Sequence, residues 1–181
     1  HAAAPLGTEH DFVEPVFRQI EERAKDKNFV LHTEKPDITS QSDLHLVTAA
    51  GDILRPARRH EGEVIFMLPD GVEAVRIVSN ASRPCDVFGP FVDDRRMLGV
   101  AVGEIRLVEQ GQTIKLTNHL TDASLSGWHA PEGGGSRWTA GDAFLSLGQR
   151  QSDGLAQLIL TLAQEGPYRL SGNRMAQQKQ A

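Results

Sequence analysis

The chain has 181 residues, of which 39% are hydrophobic and 24% are charged, as expected for a folded domain with one sizeable core. Its formal net charge of −5 argues against a nucleic-acid partner, because phosphate binding needs a basic surface. The single cysteine leaves no intrachain disulfide, and the longest apolar run, residues 155–163, is too short for a membrane span.

The first predicted element is an amphipathic helix over residues 12–27. Its apolar residues recur at helical spacing: Phe12, Val16, Phe17, Ile20 and Ala24. Because proline lacks the N–H that a helix interior uses, Pro15 is predicted to lie in the first turn, with the helix beginning near it. Residues 1–11 are predicted to be flexible, and residues 12–41 to comprise the helix and a polar connector.

Residues 42–170 are predicted to form one β-domain. Short segments rich in β-branched residues follow one another without the intervening helices of a βαβ fold. They are DLHLVTA, DILRPA, GEVIFMLP, EAVRIVSN, LGVAVGEIRLV, QTIKLTN, DAFLSL, LAQLILTLA and PYRL. The predicted fold class is therefore mainly β, an antiparallel two-sheet, jelly-roll-like β-sandwich with one N-terminal helix. We expect Phe12, Phe17 and Ile20 to pack on an edge or open face of a sheet.

Three further predictions concern position in the fold. VIFML and LILTL are apolar at consecutive positions, which predicts central strands. The basic cluster RPARRH, residues 55–60, is predicted to be a solvated turn. Residues 171–181 have little to bury and are predicted to form a disordered tail.

Four charged residues, Asp93, Asp94, Arg95 and Arg96, precede the longest predicted strand. The carboxylates could chelate a hard cation or act as an acid/base pair, with an arginine holding an anionic substrate. Alternatively, acids and arginines pair with one another and brace the loop. Adjacent like charges need compensation, so we expect at least one of the arginines to be paired with a carboxylate.

Both tryptophans lie in one glycine-rich loop, GWHAPEGGGSRWTAGDA. An indole presented beside polar groups such as His129 and Glu132 is typical of sugar-binding surfaces, and these two groups could also transfer a proton. In the alternative, the glycines reverse the chain, the tryptophans fold inward, and Arg137 bonds loop carbonyls or Glu132. We predict that the loop is first an architectural corner, with Trp128 or Trp138 substantially buried.

Motifs for other chemistries are absent from the sequence. The seven histidines show no zinc-binding spacing, and Cys85 has no histidine near it in sequence. No phosphate-binding glycine motif and no nucleophile elbow occurs. We therefore predict no metal and no cofactor, and we assign no catalytic residue.

The order of these segments resembles the region that follows the Hint (hedgehog/intein-like) domain in a group of bacterial proteins. The likeness covers roughly residues 10–148, and VDDRRMLGVAV and GWH..E....RWT.GDA.L.L are its most specific parts. The second pattern is also similar to β-sandwich modules attached to bacterial glycosyltransferases. The resemblance implies an accessory module associated, covalently or not, with a larger protein. It carries no activity over, since the self-splicing nucleophile and histidine lie upstream of this region.

Two functions remain open. The first is a non-catalytic accessory module that binds a glycan or another polar polymer, and it needs no catalytic group. Its predicted ligand-binding residues are Asp93, Asp94, Arg95, Arg96, Trp128, His129, Glu132, Arg137 and Trp138. The second is an enzyme acting on a saccharide or polar ester, with Asp93 or Asp94 and His129 or Glu132 in its site. What distinguishes the two hypotheses is whether Asp93, Asp94, His129 and Glu132 converge on one pocket.

Overall fold

The computed structural model describes residues 9–27, 29, 36–150 and 154–170. Its helices are α1 (His10–Asp26), α2 (Pro84–Val87) and α3 (Asn118–Thr121). The predicted disordered tail lies outside the described residues, as do residues 1–8 of the predicted flexible start. Residues 10 and 11 of that start belong to α1 instead.

Twelve strands lie within the described ranges. They are β1 (Ile38–Thr39), β2 (His45–Thr48), β3 (Ile53–Leu54), β4 (Arg58–His60), β5 (Glu63–Leu68), β6 (Ala74–Val78), β7 (Val100–Glu109), β8 (Gln112–Leu116), β9 (Arg137–Trp138), β10 (Asp142–Ser146), β11 (Ala156–Glu165) and β12 (Tyr168–Arg169). All pairings between them are antiparallel. Every predicted segment contains a strand, whereas the short strands β1, β4 and β9 were not predicted.

The strands form two main sheets, as expected for a sandwich. One has the order β10-β6-β2-β3, and the other has the order β4-β5-β11-β7-β8, with β9 also paired to β7. β1 and β12 form a separate ribbon. The predicted central strands, β5 and β11, do lie inside the larger sheet. The mainly β, two-sheet antiparallel fold is therefore confirmed.

The prediction of a solvated turn at residues 55–60 is wrong for its second half. Arg58–His60 forms the edge strand β4, which pairs with β5, and all three of its side chains are exposed. Basic side chains on an edge strand discourage pairing with another chain, so an exposed basic run is compatible with a strand here.

The inner faces of both sheets share one hydrophobic core. Its fully buried members include Leu46, Phe66, Ile77, Ile105, Leu145 and Leu158. Buried residues alternate with less buried ones along β2 and β5, because successive side chains in a strand point to opposite faces. Each large apolar side chain in this core contributes about 1.5–3 kcal/mol through burial.

Helix α1 begins earlier than predicted. Pro15 lies inside the helix, five residues after His10, rather than in its first turn. At that position the ring removes one hydrogen bond of the helix interior. Proline therefore did not mark where this helix begins.

One side of α1 is anchored to Phe91, which is 7% exposed. The Phe17 ring lies 5.6 Å from the Phe91 ring, and the Arg18 guanidinium lies 5.4 Å from its centroid. Phe12 and Ile20, however, are 62% and 61% exposed. The prediction of packing on a sheet is therefore wrong for Phe12 and Ile20, and Phe91, the partner of Phe17, lies in the loop between α2 and β7 rather than in a strand.

The glycine-rich loop is an architectural corner, as predicted. Trp128 is 8% exposed, belongs to the core cluster, and donates its indole N–H to the Phe144 carbonyl at 2.7 Å. Gly127 precedes it with φ of 78°, and a Cβ at that position would overlap the Asp142 carbonyl oxygen. Glycine is therefore required where the loop passes against β10. Trp138 is only partly buried.

We expect Trp128→Ala to lower the free energy of unfolding by about 3–5 kcal/mol, because it empties a core position and removes the indole hydrogen bond. Trp138→Ala is the matched control and should cost less than about 2 kcal/mol, since that side chain keeps contact with water. Urea unfolding of both variants measures the difference. Equal losses would contradict the architectural role of Trp128.

Candidate functional site

Arg137, a predicted ligand-binding residue, is a buried cation that is 2% exposed. Its Nε donates to the carbonyl of His129. One terminal nitrogen donates to the carbonyls of His119 and Asp122 at 2.8 and 2.6 Å, and the other donates to Ala123 at 3.4 Å. The prediction that Arg137 bonds loop carbonyls is confirmed. The guanidinium thus ties α3 and the residues that follow it to the start of the glycine-rich loop.

The same guanidinium lies against the Trp128 indole, with 5.9 Å between Cζ and the ring centroid. The His119 ring lies 5.3 Å from the same indole. Cations are attracted to the faces of aromatic rings, so the contact adds to the hydrogen bonds. Trp128 and Arg137 are buried in this arrangement and offer a ligand little surface. We keep the ligand-binding prediction only for the exposed or partly exposed members of the set.

His119 was not singled out by the sequence, yet it is fully buried. Its Nε2 lies 2.6 Å from the Gly103 carbonyl oxygen, so Nε2 carries the proton and donates it. Its Nδ1 is buried without a partner among the described residues. Burial lowers the pKa of His119, and the positive charge of Arg137 lowers it further. A lone histidine in a polar segment gives no sequence signal that its ring will be buried.

Arg96 is the centre of a second cluster that joins two predicted sites. Its Nε and one terminal nitrogen donate to the two Asp94 carboxylate oxygens at 3.0 and 2.7 Å. Its other terminal nitrogen donates to Glu132 in the glycine-rich loop. The hydrogen bond from Arg96 lowers the pKa of Asp94, and an electrostatic contribution from nearby His129 lowers it further. The two carboxylates raise the pKa of Arg96.

The other two residues of the acidic and basic run lie apart from this cluster. Asp93 and Arg95 are 3.7 Å apart, and their side chains are 92% and 81% exposed. The structure therefore brings Asp94, Arg96 and Glu132 together and leaves Asp93 outside. The prediction that at least one arginine pairs with a carboxylate is confirmed. Asp94 and Glu132 are both bonded to one guanidinium, which favours a brace between loops over proton transfer.

A different surface, which the sequence did not predict, surrounds the end of β11. Two adjacent cavities of about 350 and 410 Å³ share Arg59 and Glu165 in their linings. The first also contains His60, Glu61 and Gln164, and the second contains Ser40, Gln41 and Ser42. We call these two cavities together the Arg59 groove. It is open to solvent, and apolar residues such as Val64 and Leu162 line it together with the polar ones.

The polar groups of the Arg59 groove hold one another in place. Arg59 donates to both carboxylate oxygens of Glu165 at 3.2 and 3.3 Å and to the Ser42 hydroxyl oxygen at 3.2 Å. The Ser42 hydroxyl donates to Glu165 at 2.7 Å. Ser42 is 2% exposed, whereas the Arg59 and Glu165 side chains are 41% and 36% exposed. Charged groups fixed at a surface in this way are pre-organised for a ligand.

A third cavity, of about 50 Å³, lies beside the groove and shares Gln164 with it. Trp138, Phe88 and Pro167 line it, and Phe88 is 52% exposed. A small aromatic depression therefore borders the groove at Gln164. Trp138 is the one predicted ligand-binding residue that the structure places in a cavity lining described here.

The pairing of β11 is irregular at the residues that line these cavities. Its register against β7 shifts between Leu160 and Leu162 and again between Leu162 and Gln164. Such bulges bend a strand and re-aim its side chains, and they are common near binding sites. The sequence carries one signal, Gly103 inside the predicted long strand β7, because glycine within a strand often marks a bulge.

No protein-family model and no curated protein sequence matches this chain. The likeness to Hint-associated regions therefore stays a prediction. Over the part of the chain that is described, no helix has the length and apolarity to cross a membrane. Among the same residues, no three or more His, Cys, Asp or Glu side chains lie close enough to hold a metal ion.

We expect His119 to make folding stability depend on pH. Its pKa in the folded protein is below the unfolded value of about 6.5, so on acidification the unfolded chain takes up a proton first. Stability should be unaffected above that value and should fall below it, by at most about 1.4 kcal/mol per pH unit from this one proton. His119→Gln should therefore have a flatter profile of unfolding free energy between pH 7.5 and pH 5.

The control for this measurement is His60→Gln, which removes an exposed imidazole of the edge strand. It should leave the pH profile close to that of the unmodified protein. If His60→Gln flattens the profile as much as His119→Gln does, the buried imidazole is not the source of the pH dependence.

Proposed function

We propose that this protein is a non-catalytic β-sandwich module that binds an extended polar polymer, a glycan chain being the best fit. The single observation that carries this proposal is that the Arg59 groove and the aromatic depression at Trp138 share Gln164 in their linings. An extended ligand can contact all three cavities, whereas a compact metabolite would occupy one.

The groups along this path are those that a polyhydroxyl ligand needs. Arg59, Glu165 and Gln164 supply donors and acceptors for hydroxyl groups. Trp138 and Phe88 supply apolar ring surface, against which the apolar face of a pyranose can stack. A sugar chain that crosses the groove would meet its polar part first and its aromatic part at one end.

The loop cluster around Arg96 supports the module more than the enzyme. Asp94 and Glu132, two of the proposed acid/base groups, are both engaged by the same guanidinium. The lowered pKa of Asp94 makes it a poor proton donor near neutral pH. Arg95 and Asp93 are exposed beside this cluster and could extend the contact surface.

The resemblance to Hint-associated regions and to modules of glycosyltransferases supports an accessory role. In that role, the module would hold a larger protein on a glycan or another polar surface polymer. Binding by a module of this kind requires no catalytic group, and none is assigned here.

The test is a glycan array probed with the purified chain, followed by calorimetric titration with the soluble oligosaccharide that gives the strongest signal. We expect Arg59→Gln and Trp138→Ala each to weaken binding at least tenfold, since Arg59 lines both cavities of the groove and Trp138 lines the aromatic depression. Arg58→Gln is the matched control, because Arg58 is a neighbour on the same strand that does not line the groove.

The outcomes distinguish binding in the Arg59 groove from binding at the loop that contains Arg95. If Arg95→Gln abolishes binding while Arg59→Gln has no effect, the ligand lies on the loop that the sequence predicted and not in the groove. If no glycan on the array binds, the proposed ligand class is wrong.

A further inference from the structure

Helix α1 has an apolar surface that the rest of the described chain leaves uncovered. Phe12, Val16 and Ile20 recur every four residues, so they form one row along the helix. They are 62%, 46% and 61% exposed, although Phe17 on the adjoining side is packed against Phe91. We call this row the α1 ridge.

We propose that the α1 ridge is the interface of a homodimer, in which α1 of a second copy packs antiparallel on it. Val16 lies at the middle of the ridge and would lie on the two-fold axis, opposite Val16 of the second copy. Phe12 of each chain would then meet Ile20 of the other. The interface is self-complementary, as two-fold symmetry requires. It does not depend on the proposed binding function.

The charges at the two ends of the ridge identify a second copy as the partner. Glu9 precedes Phe12 by three residues, and Arg23 follows Ile20 by three, so both lie in line with the ridge. Lys27 lies one turn beyond Arg23. An antiparallel pair places Glu9 of one chain beside Arg23 and Lys27 of the other, twice per dimer. A parallel pair would place like charges together, which disfavours it.

The charges that would make these contacts are among those that α1 leaves unpaired within the described chain. On the far side of the helix, Arg18 pairs with Glu14 and Glu21, and Lys25 also pairs with Glu21. The side chains of Glu9, Arg23 and Lys27 make no ion pair with any described residue. Antiparallel helix dipoles favour the same arrangement.

The size of the ridge sets the strength of the dimer. Three apolar side chains and their flanking charges cover less than the roughly 800 Å² per partner of a standard stable interface. The dimer should therefore be weak and concentration-dependent. Anchoring of α1 through Phe17 on Phe91 keeps the helix on the body of the protein, so two whole chains can meet through it.

The experiment is sedimentation equilibrium of the whole chain at low salt, from about 10 µM to about 1 mM, where weak dimers are detected. Val16→Asp places two carboxylates at the two-fold axis and should raise the dissociation constant at least tenfold. Glu9→Lys alone should also raise it. Adding Arg23→Glu and Lys27→Glu to Glu9→Lys exchanges the charges at both ends, and this triple variant should recover the original dissociation constant.

Glu22→Lys makes the same charge change as Glu9→Lys on the far side of α1, and it should leave the dissociation constant unchanged. Circular dichroism should give the same helical signal for every variant compared. A chain that stays monomeric at all concentrations overturns the proposal, as does a triple variant that stays as weak as Glu9→Lys. Ridge-dependent binding of a monomer to phosphatidylserine vesicles would instead assign the ridge to a lipid surface.

Discussion

The buried guanidinium of Arg137 is the interaction on which the rest of the loop structure depends. A cation can be buried only when its donors are satisfied, because an unpaired buried charge costs several kcal/mol. Here the donors meet the carbonyls of four residues, which are His119, Asp122, Ala123 and His129. Those carbonyls lie on two separate stretches of chain, so satisfying the cation also fixes the distance between the stretches.

Backbone pairing connects Arg137 to the residues beside the groove. Arg137 and Trp138 form β9, which pairs with β7, and the next residue, Thr139, exchanges backbone hydrogen bonds with Gly99 and Val100. The Gly99 carbonyl then accepts a hydrogen bond from the buried Tyr168 hydroxyl at 2.9 Å. A Cβ at Gly99 would crowd Thr139, so the close approach requires glycine.

Tyr168 follows the end of β11 by three residues, and this places the buried network directly behind the proposed binding path. Burial raises the pKa of Tyr168 to about 12, so its hydroxyl remains a donor at any physiological pH. The hydrogen bond between Tyr168 and Gly99 therefore lies in the wall of the aromatic depression, and Glu165 of the groove is three residues before Tyr168. A rigid scaffold of this kind lowers the entropy that a ligand must overcome on binding.

Local sequence patterns were sufficient to predict the fold and the glycine-rich corner, but they did not predict the Arg59 groove. Alternating and continuous apolar runs predict the strands, and the two tryptophans around a glycine run predict a corner, because these signals are local. The contact between Arg59 and Glu165 joins residues far apart in sequence through a bulged strand, and no local pattern encodes that pairing. The packing of α1 could not be predicted for another reason. Amphipathicity predicts that a helix has an apolar face, but not what covers that face.

The most direct test of this architecture is the unfolding free energy of Arg137→Met. Methionine matches much of the aliphatic volume but leaves the carbonyls of the two stretches without their shared donor. We expect a loss of about 3–5 kcal/mol, with Arg137→Lys losing less because it retains the charge and part of the hydrogen bonding. A loss below about 1 kcal/mol for Arg137→Met, in the range of ordinary surface substitutions, would contradict the central role of the buried cation.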